Sequence, residues 1–532
     1  MQIDVVLWNM KLLFWLLRKN RLEVFYIRCR GKKMKINPIL NLDSYKILHR
    51  IQYPAGTEMV YSNMTPRASR VSGVNEVVFF GMQYFIKEHL INNFNENFFN
   101  RPKSVVLSEY KRRMDGYMGK DVVSVENIAE LHDLGYLPLI IKALPEGSLV
   151  PLRVPMFTIR NTLPRFFWLT NMLETAMSNI LWMPCTSATT AREYLKVFNK
   201  YADETCSNRD FVKFQGHDFS YRGLSGPDAA YMSGAAHLLS FAGSDTIPAV
   251  DFLEQYYNAN SDNELVGCSV AATEHSTTAL GIINNCENNG DSLSVGEEEY
   301  LDNLISNIHP TGILSYVSDT YDFWSLLINT LPKLKQKILN RPGKLVVRPD
   351  SGDPVKIVCG DPEAKEGTPE HKGAIQCLWE VFGGNVNSKG FKELDSHIGL
   401  IYGDSITLGR QKEILTQLKD KGFASNNVVL GIGSYTYQYV TRDTFGFAVK
   451  ATAGIVNGEF REIYKDPKTD NGTKKSARGL LRVENENGKL VLYDRQSWEQ
   501  EGMGELKTVF ENGVLYNEQS LQEIRNRIQE VL

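Results

Sequence analysis

Between about residue 211 and residue 434, the chain repeats one pattern of apolar and polar positions. A short apolar run ends in polar residues, a stretch with helical spacing follows, and another apolar run then begins. The clearest strand-like runs are Leu314–Val317, Leu345–Val347, Ile398–Tyr402 and Val428–Leu430. Strands that alternate with helices predict parallel pairing through right-handed crossovers. About seven such units predict a closed or nearly closed α/β barrel.

The polar ends of these runs predict one shared rim, because the carboxyl ends of parallel strands meet at one edge and ligands bind there. The ends are His217-Asp218, Gly243-Ser244-Asp245, Glu274-His275, Ser318-Asp319, Arg348-Pro349-Asp350, Gly403-Asp404 and Gly431-Ile432-Gly433-Ser434. The aspartates among them make the rim strongly acidic. Such a rim suits a hydroxyl-rich sugar or a polyphosphate bound to Mg²⁺.

The stretch Lys344–Asp353 changes sharply from apolar to charged residues. Its apolar residues predict a buried strand, and Pro349 ends the regular pairing. Arg348 can hold a phosphate or a carboxylate through two hydrogen bonds, and Asp350 can hold a hydroxyl or a metal. The alternative is a strand that ends in a solvated loop with a local Arg–Asp pair.

The pattern outside the repeats predicts a smaller domain of mixed or antiparallel β structure, built from both ends of the chain. Residues 34–180 form its N-terminal segment, residues 181–434 the α/β barrel-like catalytic domain, and residues 435–532 its C-terminal segment with antiparallel strands and a basic loop. Val77–Leu90 has helical spacing after an apolar start. Val483–Tyr493 predicts a β-hairpin with Asn487-Gly488 in its turn.

Residues 1–33 differ in composition from both domains. Interrupted apolar runs are followed by several arginines and lysines, and the apolar part is too short to span a membrane. The segment also lacks the small-residue cleavage site of a signal peptide. We interpret it as an appendage, such as an upstream start that is not used. The alternative is a weak basic helix on a membrane surface.

Composition narrows the classes of function. The 532-residue chain carries a formal net charge of −3, which argues against general nucleic-acid binding and makes any phosphate affinity local. Its seven cysteines are scattered without a CxxC pair, so they predict a reducing cytoplasm and no structural zinc site. Phe166–Met183 is long and apolar, but polar residues interrupt it, which predicts core or subunit contact and not a membrane span.

Basic and aromatic residues accompany the acidic rim. Two glycines, 431 and 433, allow a phosphate to approach backbone N–H groups. Phe219 and Tyr221 can stack on a flat ring, although two aromatics near a strand more often belong to a core. His275 follows an acid, but a structural histidine is the more usual case. The basic residues nearest these motifs are Arg222, Arg348, Arg442 and Lys450.

Eight short motifs occur together and in order: Asp43-Ser44-Tyr45-Lys46, HDFSYRG at 217–223, GSDT at 243–246, EHS at 274–276, VSDTYD at 317–322, RPDSG at 348–352, GDS at 403–405 and TRD at 441–443. With this ordered set the chain resembles the nicotinamide phosphoribosyltransferase family, the type II phosphoribosyltransferases of NAD salvage. The resemblance runs from about residue 38 to the C-terminus and leaves residues 1–33 unmatched.

The resemblance implies transfer of phosphoribose from 5-phosphoribosyl-1-diphosphate (PRPP) to nicotinamide, in a homodimer with shared active sites. Nicotinamide is expected between Phe219 and Tyr45 of the partner subunit, with Asp245 at its carboxamide and Arg222 and Arg348 near its ring. Ribose and diphosphate contacts are expected at Asp319, Asp350, Gly403 and Asp404. Contacts to the 5′-phosphate are expected at Gly433, Arg442 and Lys450, joined by Arg67, Lys465 and Lys474 across the dimer.

The resemblance also implies Mg²⁺ bound through the diphosphate, with Asp319 and Asp350 as candidate ligands, and ATP as an activating co-substrate. His275 matches a histidine that is phosphorylated during ATP hydrolysis. Carboxylates near ribose C1 suit the positive charge that develops there. The ring nitrogen of nicotinamide is already nucleophilic, so catalysis requires mainly positioning. The expected catalytic residues are Asp245, His275, Asp319 and Asp350.

Two departures from the family pattern concern the phosphate. Some members have three consecutive glycines in the phosphate loop, whereas this chain has Gly431-Ile432-Gly433-Ser434-Tyr435, and some have serine where this chain has Ala448. Tyr435 restricts the loop, whereas Ser434 adds a hydroxyl. We expect altered phosphate affinity and not lost function.

Three alternatives remain open on the same fold. A nicotinate phosphoribosyltransferase is disfavoured by Asp245, because a carboxylate attracts an amide N–H and repels the carboxylate of nicotinate. A non-catalytic ligand-binding or signalling protein is disfavoured by the complete set of rim acids and bases. A magnesium-dependent aldolase lacks support because no Schiff-base lysine lies at a strand end.

Overall fold

The computed structural model describes residues 37–289, 292–469 and 475–530. The predicted appendage at residues 1–33 lies outside these residues, and so does Lys474. Most of the described strands belong to two seven-stranded sheets, one parallel and one antiparallel. No helix in the described part is both long and apolar enough to cross a membrane.

The parallel sheet is the predicted barrel. Its apolar residues face the core, as in the strand Gly343–Arg348, where Leu345 and Val347 are buried. Each strand is short because polar residues follow it directly. In chain order the strands are Gly216–Asp218, Gly243–Ser244, Ala271–Ala272, Gly312–Val317, Gly343–Arg348, Ile398–Tyr402 and Val428–Ile432.

The barrel strands form a ring in chain order. Except between the second and the third, each strand pairs in parallel with the next, and the last strand, Val428–Ile432, pairs with the first, Gly216–Asp218. Between the second and third strands, a parallel bridge joins Gly243 to Cys268. The prediction of a seven-unit barrel-like domain is therefore confirmed, and all seven predicted polar ends lie at the carboxyl ends of strands.

The antiparallel sheet combines both ends of the chain, as predicted. Its central strand, Thr57–Thr65, pairs with Ala448–Val456 on one side and with Phe157–Asn161 on the other. In sheet order the strands are Glu459–Glu462, Ala448–Val456, Thr57–Thr65, Phe157–Asn161, Leu139–Ala143, Lys507–Glu511 and Val514–Leu515. The remaining pairs are Glu76–Val78 with Leu149–Pro151, Gly384–Val386 with Lys392–Leu394, and Leu480–Glu486 with Lys489–Gln496.

The predicted hairpin at Val483–Tyr493 is confirmed. Asn487 and Gly488 have φ angles of 53° and 85°, which is the left-handed pair that a tight two-residue turn requires. The helix predicted after the apolar start of Val77–Leu90 is confirmed. Glu76–Val78 is a strand, and helical turns begin only at Met82, after Gly81 adopts a φ of 104°.

Helices cover both sheets. The longest, Glu174–Thr205, buries its first half in the core beneath the antiparallel sheet and its second half in the barrel core. The predicted domain boundary at residue 180 lies within this helix. The other longer helices are Lys103–Met118, Glu126–Leu134, Pro227–His237, Ile247–Tyr257, His275–Asn289, Leu293–Asn303, Leu331–Asn340, Pro354–Cys359, Ala374–Phe382, Leu408–Asp420 and Leu521–Gln529.

Candidate active site

A cavity of about 1020 Å³ opens at the carboxyl ends of the barrel strands. Every barrel strand or the loop that follows it contributes to its wall. From the predicted set, the cavity is lined by Phe219, Arg222, Asp245, His275, Arg348, Asp350, Gly403, Asp404 and Gly433. Sequence reasoning from strand ends therefore brought these residues into one place.

Phe219 lies on a floor of glycine. A Cβ atom at Gly431 would lie 2.4 Å from Phe219 Cδ2, and a Cβ atom at Gly403 would lie 3.5 Å from Phe219 Cε2. Any side chain at position 431 would therefore displace the ring. The glycines in the last two strand ends set the position of this aromatic ring at the cavity wall.

Asp245 is held by donors from both neighbouring strand ends. Its Oδ1 atom accepts hydrogen bonds from His217 Nε2 at 2.8 Å and from Ser269 Oγ at 2.7 Å. Burial alone would raise the pKa of Asp245, but these hydrogen bonds and the charges of His217 and Arg348 outweigh burial and lower it. Asp245 is therefore an ionised acceptor at the cavity wall.

Two arginines lie close together on the same side of the cavity. Arg348 donates a hydrogen bond to the carbonyl of Thr273, while its Nε atom is buried without a hydrogen-bond partner among the described residues. Burial lowers the pKa of Arg348, nearby carboxylates oppose that effect, and the charge of Arg222 adds to it. This arrangement offers N–H donors to an incoming ligand.

Asp350 and Asp319 form a carboxylate pair at the centre of the rim. The backbone N–H of Asp350 and the hydroxyl of Ser351 donate to Asp319 Oδ2 at 2.9 and 2.6 Å. Burial raises the pKa of Asp350, and the charges of Asp319 and Asp404 add to this, although Arg348 and His275 oppose it. The site therefore concentrates negative charge where a cation or a developing positive charge gains most.

His275 begins a helix at the mouth of the cavity. Its Nδ1 atom lies 3.2 Å from Thr320 Oγ1, and its Nε2 atom lies 3.6 Å from Asp319 Oδ1. The side chain is 51% exposed. It is thus not a buried structural histidine, and a ligand can reach it.

Asp218 differs from the other predicted rim acids. It is fully buried and does not line the cavity. Its carboxylate accepts hydrogen bonds from Ser220 Oγ, Ser244 Oγ and Thr246 Oγ1 at 2.6 to 3.1 Å. Asp218 therefore links the ends of the first two strands, because its donors come from both of them. Its oxygens are already occupied by protein donors.

The loop after the last strand carries Ser434 and Tyr435, which are larger than the consecutive glycines of some family members. A Cβ atom at Gly433 would meet no atom within 4 Å, so its backbone faces open space. Ser434 and Tyr435 also line the cavity. The Tyr435 ring is exposed and stacks on Tyr439, with ring centroids 5.5 Å apart.

The predicted phosphate-binding cations lie elsewhere in this chain. None of Arg67, Arg442, Lys450 and Lys465 lines the cavity. Lys450 lies in the antiparallel sheet, where burial lowers its pKa, the charge of Glu174 opposes this, and the charges of Arg67 and Lys465 lower the pKa further. The sequence prediction divided Lys450 from Arg67 and Lys465 between two subunits, whereas these three residues lie together in one chain.

Tyr45 also does not line the cavity of its own chain. It lies on the short turn Ser44–Lys46, and its side chain is 62% exposed. An ion pair of Lys46 with Glu174 and a 2.7 Å hydrogen bond from Thr175 to Asp43 fix this turn on the long helix. The aromatic ring is therefore presented outward from a firm base. Ala448, the site of a predicted departure, begins the strand that carries Lys450.

The carboxylates do not form a ready-made metal cage. Within the described ranges, no group of three or more His, Cys, Asp or Glu side chains is placed to hold a metal ion. The Oδ1 atom of Asp319 is nevertheless buried without a hydrogen-bond partner there. One or two carboxylates beside a phosphate-bearing ligand is the usual protein share of a Mg²⁺ site, so the residues fit an ion that arrives with the substrate.

Sequence reasoning missed His217 and Ser269. His217 was noted only as the neighbour of Asp218, and its ring lies 4.7 Å from Phe219. A usable signal was the glycine at position 243, because a Cβ atom there would lie 2.7 Å from His217 Nδ1. Ser269 follows Cys268 in a stretch that carries no regular pattern in the sequence.

The protein belongs to the class of α/β-barrel proteins that have a cavity at the carboxyl rim of the barrel and a flanking antiparallel domain. Comparisons with solved structures find the same fold. The structure resembles nicotinate-nucleotide pyrophosphorylase from Pyrococcus furiosus, with a TM-score of 0.55 and 15% identity over 94% of this chain and 97% of that one. It also resembles human nicotinic acid phosphoribosyltransferase, with a TM-score of 0.51 and 14% identity over 92% and 93% of the two chains. At these identities, the likeness concerns the fold.

Sequence comparison is more specific. Residues 214–514 match the nicotinate phosphoribosyltransferase (NAPRTase) family, and residues 37–139 match the N-terminal domain of nicotinamide phosphoribosyltransferase. The chain belongs to the nicotinate phosphoribosyltransferase (NAPRTase) family and is an enzyme.

Within that family, it is 54% identical to a nicotinamide phosphoribosyltransferase of Acinetobacter baylyi, over 94% of this chain and 98% of the relative. It is 34% identical to the enzyme of the same name from Mycoplasma pneumoniae, over 84% of this chain and 96% of the relative.

Proposed function

We propose that this enzyme transfers the phosphoribosyl group of PRPP to nicotinamide and releases diphosphate, a step of NAD salvage. The observation that carries the proposal is the 54% identity to a nicotinamide phosphoribosyltransferase along nearly the whole of both chains. The ionised Asp245 supports the choice of nicotinamide, since it accepts an amide N–H and repels the carboxylate of nicotinate.

The chemistry follows from charge and position. The pyridine nitrogen attacks ribose C1, the C1–oxygen bond to diphosphate breaks, and diphosphate leaves with the bonding electrons. Positive charge develops at C1, beside the carboxylates of Asp319 and Asp350. Phe219 offers a flat face to the pyridine ring, and Arg222 and Arg348 offer donors near it. Since the ring nitrogen already has a free electron pair, no general base is needed.

We propose that Mg²⁺ enters with PRPP. Asp319 and Asp350 are the residues that would hold it, which fits the buried Oδ1 atom of Asp319, since this atom accepts no hydrogen bond from the described residues. The ion would neutralise charge on the departing diphosphate. Asp404, whose charge reaches Asp350, and the backbone of Gly403 would border the same group.

We also propose a homodimer in which each cavity is completed by its neighbour. The support is an excess of positive charge at Lys450, Arg67 and Lys465 that lies outside the cavity of its own chain. Such a cluster suits the 5′-phosphate. The outward Tyr45 suits the second face of the nicotinamide ring. In this arrangement the whole basic cluster, Lys450 included, serves the neighbouring cavity.

Complementation of two inactive chains tests the shared cavity. Asp350→Ala and Lys450→Ala chains are co-expressed and compared with each variant alone. If the two residues serve one cavity from different chains, each mixed dimer contains one intact site, and about a quarter of all sites recover when chains mix at random. If both residues act within one chain, no intact site forms and activity stays at the level of the single variants.

We propose that ATP hydrolysis stimulates the reaction through transfer of the γ-phosphoryl group to His275. The exposed imidazole beside Asp319 supports this role. His275→Ala should abolish the gain from ATP and leave synthesis without ATP within about threefold of the wild type. We also propose a cytoplasmic location, where free thiols persist. The six described cysteines are free.

A direct assay tests the main proposal. Product formation from PRPP is measured with nicotinamide and with nicotinate side by side, with and without ATP. We expect nicotinamide mononucleotide to form with the higher kcat/KM. Faster turnover of nicotinate would contradict the proposal, and failure to convert either substrate would favour a non-catalytic binding protein on this fold.

A further inference from the structure

The two oxygens of Asp245 have different surroundings. Oδ1 accepts both described hydrogen bonds, from His217 Nε2 and from Ser269 Oγ. Among the described residues, Oδ2 has no hydrogen-bond partner, and Asp245 lines the cavity. Two donors on one oxygen restrict rotation of the carboxylate and leave the other oxygen to a ligand.

His217 is itself held in place. Its ring lies 4.7 Å from the Phe219 ring at an angle of 46°, and it occupies the space beside Gly243 on the next strand. A Cβ atom at position 243 would lie 2.7 Å from Nδ1, so only glycine leaves room for the imidazole. Because an ionised carboxylate only accepts, Nε2 carries the proton that is shared with Asp245.

Ser269 comes from the opposite side of Asp245. It follows Cys268, which forms the bridge to Gly243 that joins the second and third strands of the ring. The two donors therefore reach Asp245 from both flanking strand ends. The Gly243–Cys268 bridge that closes the barrel therefore lies next to both Asp245 and its donor Ser269 in the chain.

We propose that His217 and Ser269 are positioning residues that hold Asp245 as an acceptor and thereby set the preference for nicotinamide over nicotinate. The inference rests on the proposed function. Without the two donors, a half-buried carboxylate is easier to protonate and free to turn. A protonated Asp245 can donate to the carboxylate of nicotinate, so discrimination between the two substrates falls.

Steady-state kinetics with both substrates test the inference. In His217→Ala, we expect KM for nicotinamide to rise about tenfold, with kcat within about threefold, since the contact orients the amide and not ribose C1. The ratio of kcat/KM for nicotinamide to that for nicotinate should fall about tenfold. His217→Gln, which keeps an N–H donor, should hold that ratio within about threefold of the wild type.

A second His–Asp pair provides the matched control. His397 Nδ1 lies 2.7 Å from Asp395 Oδ1 just before the strand Ile398–Tyr402, at the opposite end of the barrel from the cavity. His397→Ala should leave the substrate ratio unchanged. A folded His217→Ala variant with an unchanged ratio, or a change that His397→Ala reproduces, would overturn the inference.

If His217→Ala does not fold, the variant Ser269→Ala tests the inference instead, because Ser269 is exposed. In Ser269→Ala, a ratio that falls about threefold supports the inference, and an unchanged ratio overturns it. Failure of the proposed function is distinguishable, because then the wild type itself makes no nicotinamide mononucleotide. If the wild type prefers nicotinamide and the variants keep that preference, only the positioning role fails.

Discussion

The parallel barrel and the antiparallel sheet place their charged side chains in different ways. In the barrel, charge follows the strand ends, so that Asp245, Asp350 and Asp404 all reach one cavity. In the antiparallel sheet, Lys450 lies within the strand Ala448–Val456, and Arg67 and Lys465 come from separate loops. In the barrel, the position of a charged residue follows from the direction of its strand. In the antiparallel sheet, it depends on the register between paired strands.

This difference explains why one half of the candidate site could be read in the sequence. A parallel strand ends at a known edge, so its next polar residue has a predictable place. The neighbours of an antiparallel strand depend on pairing: Lys450 lies opposite Asn63, almost four hundred residues away in the chain. No local pattern encodes that partner.

The largest effect is expected at the rim. Asp350→Ala removes a carboxylate from the centre of the proposed site, so kcat/KM for nicotinamide mononucleotide formation should fall by about 10²- to 10³-fold. Asp420→Ala, at the exposed end of a barrel helix, is the matched control and should retain full activity. An Asp350→Ala enzyme with wild-type kcat/KM would show that this rim carboxylate does not contribute to the reaction.

A smaller effect is expected from the antiparallel sheet. Lys450→Ala weakens the basic cluster, so KM for PRPP should rise about tenfold, while KM for nicotinamide changes little. High salt should raise KM for PRPP in the wild type toward the value of the variant, because salt screens the charges of the basic cluster. Lys489→Ala, on the exposed hairpin of the same domain, should behave as the wild type. Equal PRPP affinity in both variants would show that the sheet has only a structural role.

The smallest effect concerns Glu297, a buried carboxyl on a helix of the barrel that does not line the cavity. Burial raises the pKa of Glu297 to about 7, partly opposed by the 3.0 Å hydrogen bond from Tyr316. The folded state then holds the proton more tightly than the unfolded chain, whose carboxyl titrates near its ordinary 4.5. The stability that this group contributes is present below pH 4.5 and is lost as pH rises through about 7.

Glu297→Gln should therefore reduce the fall in thermal midpoint between pH 5 and pH 8 by about 2 °C. The glutamine keeps an oxygen for Tyr316 and does not ionise. Differential scanning calorimetry at the two pH values measures the change, with Glu366→Gln on an exposed loop as the control. An unchanged pH dependence would mean that Glu297 is not the titrating group.

Much of the barrel could be predicted from single-sequence patterns. Apolar runs such as Leu345–Val347 pair with a parallel strand on each side and bury Leu345 and Val347, so they stand out from their polar ends. The same rule misassigned Asp218, which occupies a strand end but is buried under three hydroxyl donors. Sequence position did not reveal whether a strand-end carboxylate faces the cavity or its neighbours.

Other features depended on contacts that no local pattern records. The sequence predicts a helix after the apolar start of Val77–Leu90, but not that Glu76–Val78 pairs with Leu149–Pro151 as a strand, because that pairing depends on a partner distant in the chain. His217 and Ser269 meet Asp245 only after the ring closes. The ordered motifs predicted most of the residues that line the cavity, but not the clustering of Lys450 with Arg67 and Lys465.

The helix Glu174–Thr205 has a consequence for how such a protein can evolve or be rebuilt. Its two halves belong to different hydrophobic cores, and its first residue holds the turn that carries Tyr45. Neither sheet is thus a self-contained module that could be exchanged between relatives by recombination, because any cut between them divides one continuous rod. New specificities are more accessible through substitutions at the strand ends than through the swapping of whole domains.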